Sequence, residues 1–420
     1  MRNINTIDHK GRLKMFKNRN LTVMWIANFF VAASATMVLP FLSVYIETFG
    51  DFSDAYVQRW SGFIFGITFL VAFFAAPLWG RFGDNFGRKK ILMLTGYGIA
   101  MSILLMSFVN NVWELLLLRA FMGVVTGFIP TSMALISAQT AKEEAGKVLG
   151  TLQMGTVSGG LFGPLIGGLL ADSVGFTYTF FITSVVIALA ATLVAFGIKE
   201  KIITENKRTE EKKTMRQVLL LIIRNKMLLI VMILSLVVQT ANFSIQPQLA
   251  LYVSQLLTSE NIAFLAGLAF SVTGLGNLIA TRFWGIQGDK IGHDKIIFIC
   301  LIISAVTFLP QAFVTSIWQL VILRFLFGIA VGGIIPCVTA YIRQKVPVNI
   351  QGEVLGYNQS FRFLGNVTGP AVGGLVAGSF GIPAVFYVSS LLLLLMAVSF
   401  YFVYKSADKS KGRKKHAVNQ

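Results

Sequence analysis

The sequence predicts an all-α membrane protein with twelve transmembrane helices, arranged as two parallel-repeat halves of six helices each. Three observations predict this class: the chain is strongly apolar, its basic residues are confined to alternate loops, and its second half repeats motifs of the first. Of the 420 residues, 55% are hydrophobic and only 13% are charged, with a mean hydropathy of +0.72. About a quarter of a soluble domain is charged, so most of this chain must face lipid or other apolar helices.

Apolar runs along the chain are long enough to cross a membrane, because a transmembrane helix needs about 20 apolar residues. The run that follows the basic N-terminal arm resembles a signal peptide, but it is too long and lacks a small-residue cleavage site. We therefore interpret it as the first span. The twelve predicted spans are 21–46, 60–79, 91–109, 114–138, 149–171, 177–198, 227–252, 262–284, 296–313, 318–341, 353–377 and 384–404.

The distribution of positive charge predicts the topology. The formal net charge is +18, and the twelve-span arrangement puts 32 of the 36 Lys and Arg residues on one side of the membrane. The opposite loops contain only Arg59, and the three other arginines lie within spans. Because Lys and Arg mark the cytoplasmic side, we expect both termini to be cytoplasmic. The charge then reports topology and attraction to membrane lipid, and no nucleic acid partner is expected.

The second half of the chain repeats the first about 205 residues later. The segment NNVWELLLLRAFMG at 110–123 recurs as TSIWQLVILRFLFG at 315–328. Likewise WGRFGDNFGRKK recurs as WGIQGDKIGHDK, and GPLIGGLL recurs as GPAVGGLV. Both copies of the second motif lie in basic loops, so each half returns to the same side, as parallel repeats do.

One long polar segment separates the two halves. It is too charged to cross a membrane and too short to be a domain, so we interpret it as a linker with an amphipathic stretch on the membrane surface. The predicted organisation is a cytoplasmic arm at 1–20, a first six-helix half at 21–198, a cytoplasmic linker at 199–226, a second half at 227–404 and a basic cytoplasmic tail at 405–420.

The loop between the second and third spans is a candidate conformational latch, meaning a contact that holds the halves in one arrangement. Its glycines permit a tight turn, and Asp84 can pair with Arg88 or face the positive end of a neighbouring helix. The alternative is a plain basic turn, but a second copy argues against it. That copy has His293 and Asp294 in place of the basic pair and should be weaker. The latch residues are Gly80, Asp84, Gly87, Arg88, Lys89 and Asp289.

Arg119 lies within the fourth span and is a candidate functional residue. A charge inside a span costs at least a few kcal/mol and is a functional hypothesis by default. The alternative is an arginine that extends to the membrane interface. Arg324 is its repeat partner. Glu114 precedes Arg119 by five residues and points to a different helix face, so the two are not expected to pair.

The fifth and eleventh spans carry closely spaced glycines beside a proline. Small residues four apart let helices pack backbone to backbone, and proline removes a helical hydrogen bond. A kinked, closely packed helix suits a gate or a seal between the halves, although ordinary membrane packing is the alternative. The residues are Gly159, Gly163, Pro164, Gly167, Gly168, Gly369 and Pro370.

Together these motifs resemble the major facilitator superfamily over essentially the whole chain. The loop signature, the arginine of the fourth span and the GPxxGG motif resemble those of its twelve-span drug:proton antiporters. WGRFGDNFGRKK, RAFMGVVTGFIP and LGTLQMGTVSGGLFGPLIGG are most similar to Gram-positive quinolone and multidrug efflux pumps of the PmrA and NorA type. The resemblance implies that Asp84 and Arg88 form the latch, that Arg119 takes part in proton transfer, and that Gly163 and Pro164 form the antiporter hinge.

The chain departs from this family in its acidic residues. Some members carry acids in spans 1, 7 or 10, whereas this chain has neutral amides in spans 1 and 7, and none of its eighteen acids lies clearly at mid-membrane. Proton coupling needs a group that binds and releases protons, normally a membrane carboxylate. The candidates are those reachable from the outer side, on which Arg119 also lies. The proton-coupling candidates are Arg119, Glu47, Glu114 and Asp172.

A substrate cavity is expected between the halves near the membrane midplane, lined by amides and adaptable apolar side chains. For any one of these residues, helix packing is the competing interpretation. A cavity without a central acid favours amphiphilic, zwitterionic or weakly cationic compounds such as fluoroquinolones and dyes. The candidates are Asn28, Phe29, Gln153, Gln239, Asn242, Gln246, Asn358, Gln359 and Arg362.

Other classes of function fit less well. An intramembrane enzyme needs reactive groups at depth, but the three histidines lie in loops or tails and no HExxH or GxSxG motif lies within a span. A channel or receptor does not need duplicated gating motifs, and ATP drive would need a phosphate-binding loop that the sequence lacks. We therefore predict proton-motive-force-driven multidrug efflux by a monomer, with no catalytic residue, metal or cofactor. The alternative is export of a cell metabolite such as a sugar or an amino acid.

Overall fold

The computed structural model describes residues 19–140, 144–198, 200, 215–257 and 261–418, and in these residues every regular element is a helix. The predicted all-α class is confirmed. The first eighteen residues of the predicted arm, residues 201–214 of the predicted linker and the last two residues of the tail lie outside the described part.

The first half consists of six spans, two of which form a single run of helix that is broken at Gly175. Span 1 is Arg19–Met37 continued by Leu42–Glu47, span 2 is Asp54–Phe86, span 3 is Arg88–Met106, span 4 is Val112–Val124 continued by Phe128–Ala138, and spans 5 and 6 share Ala145–Gly197.

The second half follows a linker helix, Met215–Arg224. Span 7 is Lys226–Ser244 continued by Leu249–Leu256, span 8 is Ile262–Ile291, span 9 is His293–Phe308, span 10 is Ile317–Lys345, span 11 is Val348–Phe380 and span 12 is Ile382–Val418.

Ten described helices are long and apolar enough to cross a membrane, and two observations raise this number to the predicted twelve. Ala145–Gly197 has 53 residues, about 80 Å of helix, far more than the roughly 30 Å of bilayer hydrocarbon. Its backbone breaks at Gly175, where φ is 82°, so it crosses twice. The remaining span is span 11, Val348–Phe380, whose glycines and polar side chains make it less apolar than the other ten helices.

The sequence repeat is also a repeat of local structure. The turn that ends span 2 has Gly87 at φ 96°, and the turn that ends span 8 has Gly292 at φ 104°. The indole nitrogen of Trp79 donates to the Val124 carbonyl at 2.5 Å, and that of Trp284 donates to the Ile329 carbonyl at 2.9 Å. Glycine tolerates positive φ at no steric cost, so the two motif loops form the same turn.

Spans 4 and 10 are where the two copies differ. Span 10 is one continuous helix, whereas span 4 is interrupted between Val124 and Phe128. The predicted fourth span, 114–138, lies within the candidate span Val112–Ala138, which contains this interruption.

The two ends of the helix bundle differ in chemistry. Spans 2, 4 and 10 begin with Ser53, Asn111 and Ser316, whose side chains accept hydrogen bonds from the first turn and so fix the helix starts. Just inside these starts, the repeat partners Trp113 and Trp318 are each 61% exposed, as membrane-interface tryptophans are. We call this the capped end, and we call the end that carries the two glycine turns and most of the basic residues the basic end.

Candidate functional site

The two halves approach most closely along two pairs of helices, of which the first is span 5 with span 8. A Cβ atom on Gly168 would overlap the carbonyl group of Ala263, and one on Gly267 would overlap the carbonyl group of Pro164. Glycine at both positions lets the two helix backbones touch. We call this contact the span 5/8 seam.

The second close approach joins span 2 to span 11. A Cβ atom on Gly62 would overlap the carbonyl group of Pro370, and one on Gly374 would meet the carbonyl oxygen of Gln58. Phe243 of span 7 adds aromatic contacts with Phe65 at 6.1 Å between ring centroids and with Phe69 at 5.6 Å. We call this contact the span 2/11 seam.

Each GPxxGG motif has two faces that meet different helices. Gly163 and Gly167 pack against the backbone of span 1, just as Gly159 does one turn earlier. In the second copy, Gly369 packs in the same way against span 7. The proline and the final glycine face the opposite half instead, in the two seams. The motif therefore joins each half internally and also joins it to the other half.

Asp172 connects the two halves at the capped end of the span 5/8 seam. One carboxylate oxygen accepts from the backbone nitrogen of Phe264 at 2.7 Å, and the other accepts from that of Ala263 at 3.2 Å. These amides belong to the first turn of span 8, where Asn261 gives no side-chain cap. A carboxylate there satisfies free donors and interacts favourably with the helix dipole.

The span 2/11 seam ends in a different contact. Position 378, the repeat counterpart of Asp172, is glycine, and it packs against the side chain of Arg59. The Arg59 guanidinium donates to the Ser379 hydroxyl at 3.3 Å. Nearby, the Gln248 amide donates to the Gln58 carbonyl at 3.3 Å. Each seam thus has a polar contact between the halves at its capped end, and the Asp172 contact carries a negative charge.

An Asp172→Asn variant is expected to loosen the capped end of the span 5/8 seam. It loses a charge at a helix N-terminus, worth about 0.5–1 kcal/mol, or about two- to fivefold in the open fraction. Labelling of a cysteine placed at Leu165 by an impermeant maleimide added at the capped end measures this fraction. Asp51→Asn, an exposed acid at the same end, should leave labelling unchanged. Equal labelling in both variants would refute the role of Asp172.

The halves separate toward the basic end. Among the described residues, the closest glycine contacts and the side-chain hydrogen bonds that join the halves lie in the part of the seams nearer the capped end. A Cβ atom on Gly274 of span 8 would meet the side chain of Leu161. Further toward the basic end, a Cβ atom on Gly150 or on Gly285 would have no neighbour within 4 Å. The bundle is therefore closed at its capped end and open toward its basic end.

Two predicted cavity residues lie on the helix faces that the separation exposes. Gln153 precedes Pro164 by eleven residues, about three helical turns, so it shares the face that forms the span 5/8 seam. Gln359 precedes Pro370 by the same interval on span 11. Both side chains are exposed. The repeat therefore places one glutamine on each side of the gap.

Two other predicted cavity residues are engaged in packing between spans 7 and 11. The Gln239 amide donates to Asn366 at 3.0 Å, and Asn358 accepts from the Ser235 hydroxyl at 2.7 Å. These hydrogen bonds hold the second half together, which is the helix-packing role that competed with a cavity role. The remaining candidates are placed as follows: Asn28 and Gln246 are buried, Phe29 and Asn242 are half-buried, and Arg362 is half-buried and donates to Gln359 at 2.9 Å.

The turn of the signature loop is held by an acid that the sequence analysis did not identify. One Glu200 oxygen accepts from the Arg88 backbone nitrogen at 2.7 Å, and the other accepts from that of Lys89 at 3.1 Å. The Arg88 side chain donates to the Ala134 carbonyl at 2.6 Å. Asp84 has its backbone in span 2, and its side chain lies outside the described part. The described contacts thus tie span 3 to span 4 and to the segment after span 6.

A Glu200→Ala variant is expected to free the start of span 3. Loss of a side-chain cap costs about 1 kcal/mol, so amide hydrogen exchange over residues 88–91 should become about fivefold faster. Glu144→Ala is the matched control, because Glu144 is exposed at the start of span 5 and its side chain caps no amide. Unchanged exchange in Glu200→Ala would show that the cap does not stabilise this turn.

The second signature loop is held by local groups. The imidazole of His293 lies 3.3 Å from the carboxylate of Asp289, and His293 is buried while Asp289 is exposed. The Asp294 carboxylate lies beside Gly292, the counterpart of Gly87. In this copy the acid beside the turn comes from span 9 itself and does not come from the segment after the sixth helix of the half.

Arg119 and Arg324 are both buried within their halves. Arg119 is 2% exposed and Arg324 is 1% exposed. Two guanidinium nitrogens of each have no hydrogen-bond partner among the described residues, and the described acids give neither arginine an ion pair. A guanidinium nitrogen of Arg119 lies 4.0 Å from the sulfur of Met122 on the same helix. Neither side chain therefore reaches the surface of the bundle, which an arginine that extends to the membrane interface would have to do.

A family model confirms what this geometry indicates. The model of the Major Facilitator Superfamily matches residues 24–264 and 249–419, and the two matches together cover nearly the whole chain. The chain belongs to the Major Facilitator Superfamily. It is therefore a multi-pass membrane transporter of small molecules.

Relatives within the superfamily cover nearly the whole chain. "Uncharacterized MFS-type transporter YuxJ" of Bacillus subtilis (strain 168) is 56% identical over 382 residues, which cover 91% of this chain and 97% of the relative. "Multidrug resistance protein MdtG" of Salmonella typhi is 41% identical over 381 residues, which cover 90% of this chain and 94% of the relative.

A solved structure supports the superfamily fold. The bacterial homologue of the human lysosomal transporter Spinster, in an inward-facing and occupied conformation, matches with a TM-score of 0.77 over 96% of this chain and 98% of that chain. The sequence identity is 14%, so this likeness shows the fold alone. In the described residues of this chain, no group of three or more His, Cys, Asp or Glu side chains is placed to hold a metal ion.

Proposed function

We propose that the protein is a proton-driven exporter of amphiphilic compounds such as fluoroquinolones and dyes. The observation that carries this proposal is the 41% identity to multidrug resistance proteins over 90% of the chain. The sequence resemblance to Gram-positive quinolone efflux pumps points to the same substrates. The solved neighbour shares too little sequence to favour a particular substrate, so export of a metabolite has no observation of its own.

The proposed mechanism is alternating access. The described conformation is closed at the capped end and open at the basic end. The glycine seams supply flat backbone surfaces that separate and meet again without rearrangement of large side chains. Rocking of the two halves would open the seams at the capped end and bring the basic ends together. Gln153 and Gln359 would face the substrate between the halves.

The charge distribution supports an orientation in which the basic end is cytoplasmic. Both termini and the linker would then lie in the cytoplasm, and the protein would reside in the cell membrane as a monomer. Loading from the open basic end and release at the capped end would give export.

Asp172 is the proton-coupling candidate that this geometry supports best. It lies in a seam, so its charge bears directly on the contact between the halves. Protonation removes the charge that favours the N-terminus of span 8, which weakens closure of the capped end. Glu114 instead accepts from the Asn110 backbone nitrogen at 3.0 Å, within its own helix start. Glu47 is exposed at the end of span 1.

Transport by everted membrane vesicles tests the proposal. Vesicles that contain the protein are expected to accumulate a fluorescent amphiphilic dye when energised, and an uncoupler should abolish this accumulation. Vesicles that contain an Arg119→Gln variant serve as the comparison, because this variant should be present in the membrane but should not transport the dye. If dye and fluoroquinolone accumulation equals that of vesicles without the protein, while energised vesicles take up a sugar or an amino acid, the metabolite alternative is correct and the proposal is wrong.

A further inference from the structure

A second cavity lies outside the pathway between the halves. It is at the basic end, between the linker helix, the start of span 7 and the end of span 12, and its volume is about 1100 Å³. None of the described residues that line it is acidic. They are Gln217, Leu220, Leu221, Arg224, Asn225, Lys226, Met227, Phe402, Val403 and Ser406.

The linker helix supplies an apolar wall that the described residues leave partly exposed. Val218 and Ile222 are buried against the second half, which fixes the helix there. Leu220 is 41% exposed, and across the cavity Phe402 is 64% exposed. Because Phe402 lies on a membrane-spanning helix, this apolar wall continues into the surface that faces the bilayer.

Exposed cations lie beside this wall. Arg224 ends the linker helix and Lys226 begins span 7. The turn between them is fixed by Asn225, whose side-chain oxygen accepts from the backbone nitrogens of Met227 at 3.1 Å and Leu228 at 3.2 Å. The two cations are therefore held on the rim of the cavity, at the level where the apolar surface ends.

We propose that this cavity binds an anionic phospholipid from the bilayer. Two cations on a rim whose described residues include no acid fit a phosphodiester headgroup, and basic pockets between helices at this level are suited to such headgroups. The apolar wall below fits the first part of the acyl chains. A free phosphate ion would use only the rim, and a soluble acidic peptide could not cover the bilayer-facing wall.

Bound lipid would hold the linker helix against the second half. The headgroup contacts the linker helix and span 7, and the acyl chains contact the linker helix and span 12. The linker is the segment of chain that joins the two halves. A lipid bound at this position would therefore affect how far the two halves can separate.

Native mass spectrometry of the purified full chain, titrated with phosphatidylglycerol or phosphatidylcholine, tests this proposal. The protein should retain phosphatidylglycerol and should not retain phosphatidylcholine. The Arg224→Gln/Lys226→Gln double variant should bind phosphatidylglycerol at least about tenfold more weakly. The control is Lys90→Gln/Arg282→Gln, which removes two exposed cations from the same end and should bind as the wild type does.

Two further measurements separate the sources of binding. A Leu220→Asp variant keeps the rim and should also lose phosphatidylglycerol, because it places a charge in the apolar wall. Glycerol 3-phosphate, which carries the charge without acyl chains, should not compete. Equal lipid binding in the rim variant and its control would overturn the proposal, as would full competition by glycerol 3-phosphate. Neither result depends on whether the protein exports drugs.

Discussion

A Gly168→Val variant is expected to fold but to lose transport, because it can no longer close its capped end. Gly168 lies in the span 5/8 seam, where any Cβ atom would overlap the backbone of Ala263. Overpacking of a close contact costs about 1–3 kcal/mol. That cost favours the arrangement with separated capped ends by about 5- to 150-fold. Each six-helix half keeps its own packing, so the variant should fold normally but should fail to close its capped end.

The matched control is Gly160→Val on the same helix. A Cβ atom on Gly160 would meet nothing within 4 Å, so this variant carries the same change in helix propensity without a collision. Uncoupler-sensitive dye transport should disappear in Gly168→Val and persist in Gly160→Val. The elution of both variants in size-exclusion chromatography should match the wild type.

The symmetry of the molecule extends this prediction to the other seam. Gly374 meets Gln58 and Gly62 in the span 2/11 seam, so Gly374→Val should produce the same loss. A Gly168→Val protein that transports at the wild-type rate would show that the described seam is not a moving contact. An aggregated Gly168→Val protein beside a normal Gly160→Val protein would show that the seam is needed for folding, which would also contradict the prediction.

The fold was predictable because its signals are local and additive. Most spans are visible as apolar runs, and the alternation of basic and non-basic loops predicts which helix ends lie together, so neither inference requires knowledge of tertiary contacts. The repeat adds an independent check, since Gly87 and Gly292 adopt the same unusual backbone angle in both copies. The interruption of span 4 was not predictable, because span 10 carries a similar sequence in a continuous helix.

The candidate site was predictable only in part, because the partner of each residue depends on packing between distant segments. The glycine motif identified a close contact but not that it has two faces. The cap formed by Glu200 joins residues 112 positions apart, and the one signal for it was an acid that follows span 6 on the side of the signature loop. Likewise, sequence could not separate Gln153, which faces the gap, from Gln239, which bonds to Asn366.

Arg119 gives the second large prediction. An unpaired guanidinium inside a membrane helix bundle costs several kcal/mol, and Arg119 is buried with no ion pair among the described residues. Replacement by glutamine removes the charge and keeps a polar group of similar reach. We therefore expect Arg119→Gln to unfold at the same temperature as the wild type or a higher one. A residue that costs stability and is nevertheless present points to a role in transport.

We expect the same variant to lose uncoupler-sensitive efflux completely, to the level of vesicles without the protein. The matched variant is Arg324→Gln, because Arg324 is the repeat partner and is equally buried. Both variants are compared by thermal unfolding in detergent and by dye transport in everted vesicles, and the difference between them should appear in transport. Arg324→Gln should also unfold no earlier than the wild type, and it should keep proton-driven efflux, since the resemblance to drug:proton antiporters places proton transfer in the first half. Equal loss of transport in both variants would assign the arginines a shared structural role and would exclude Arg119 as a specific participant in proton coupling.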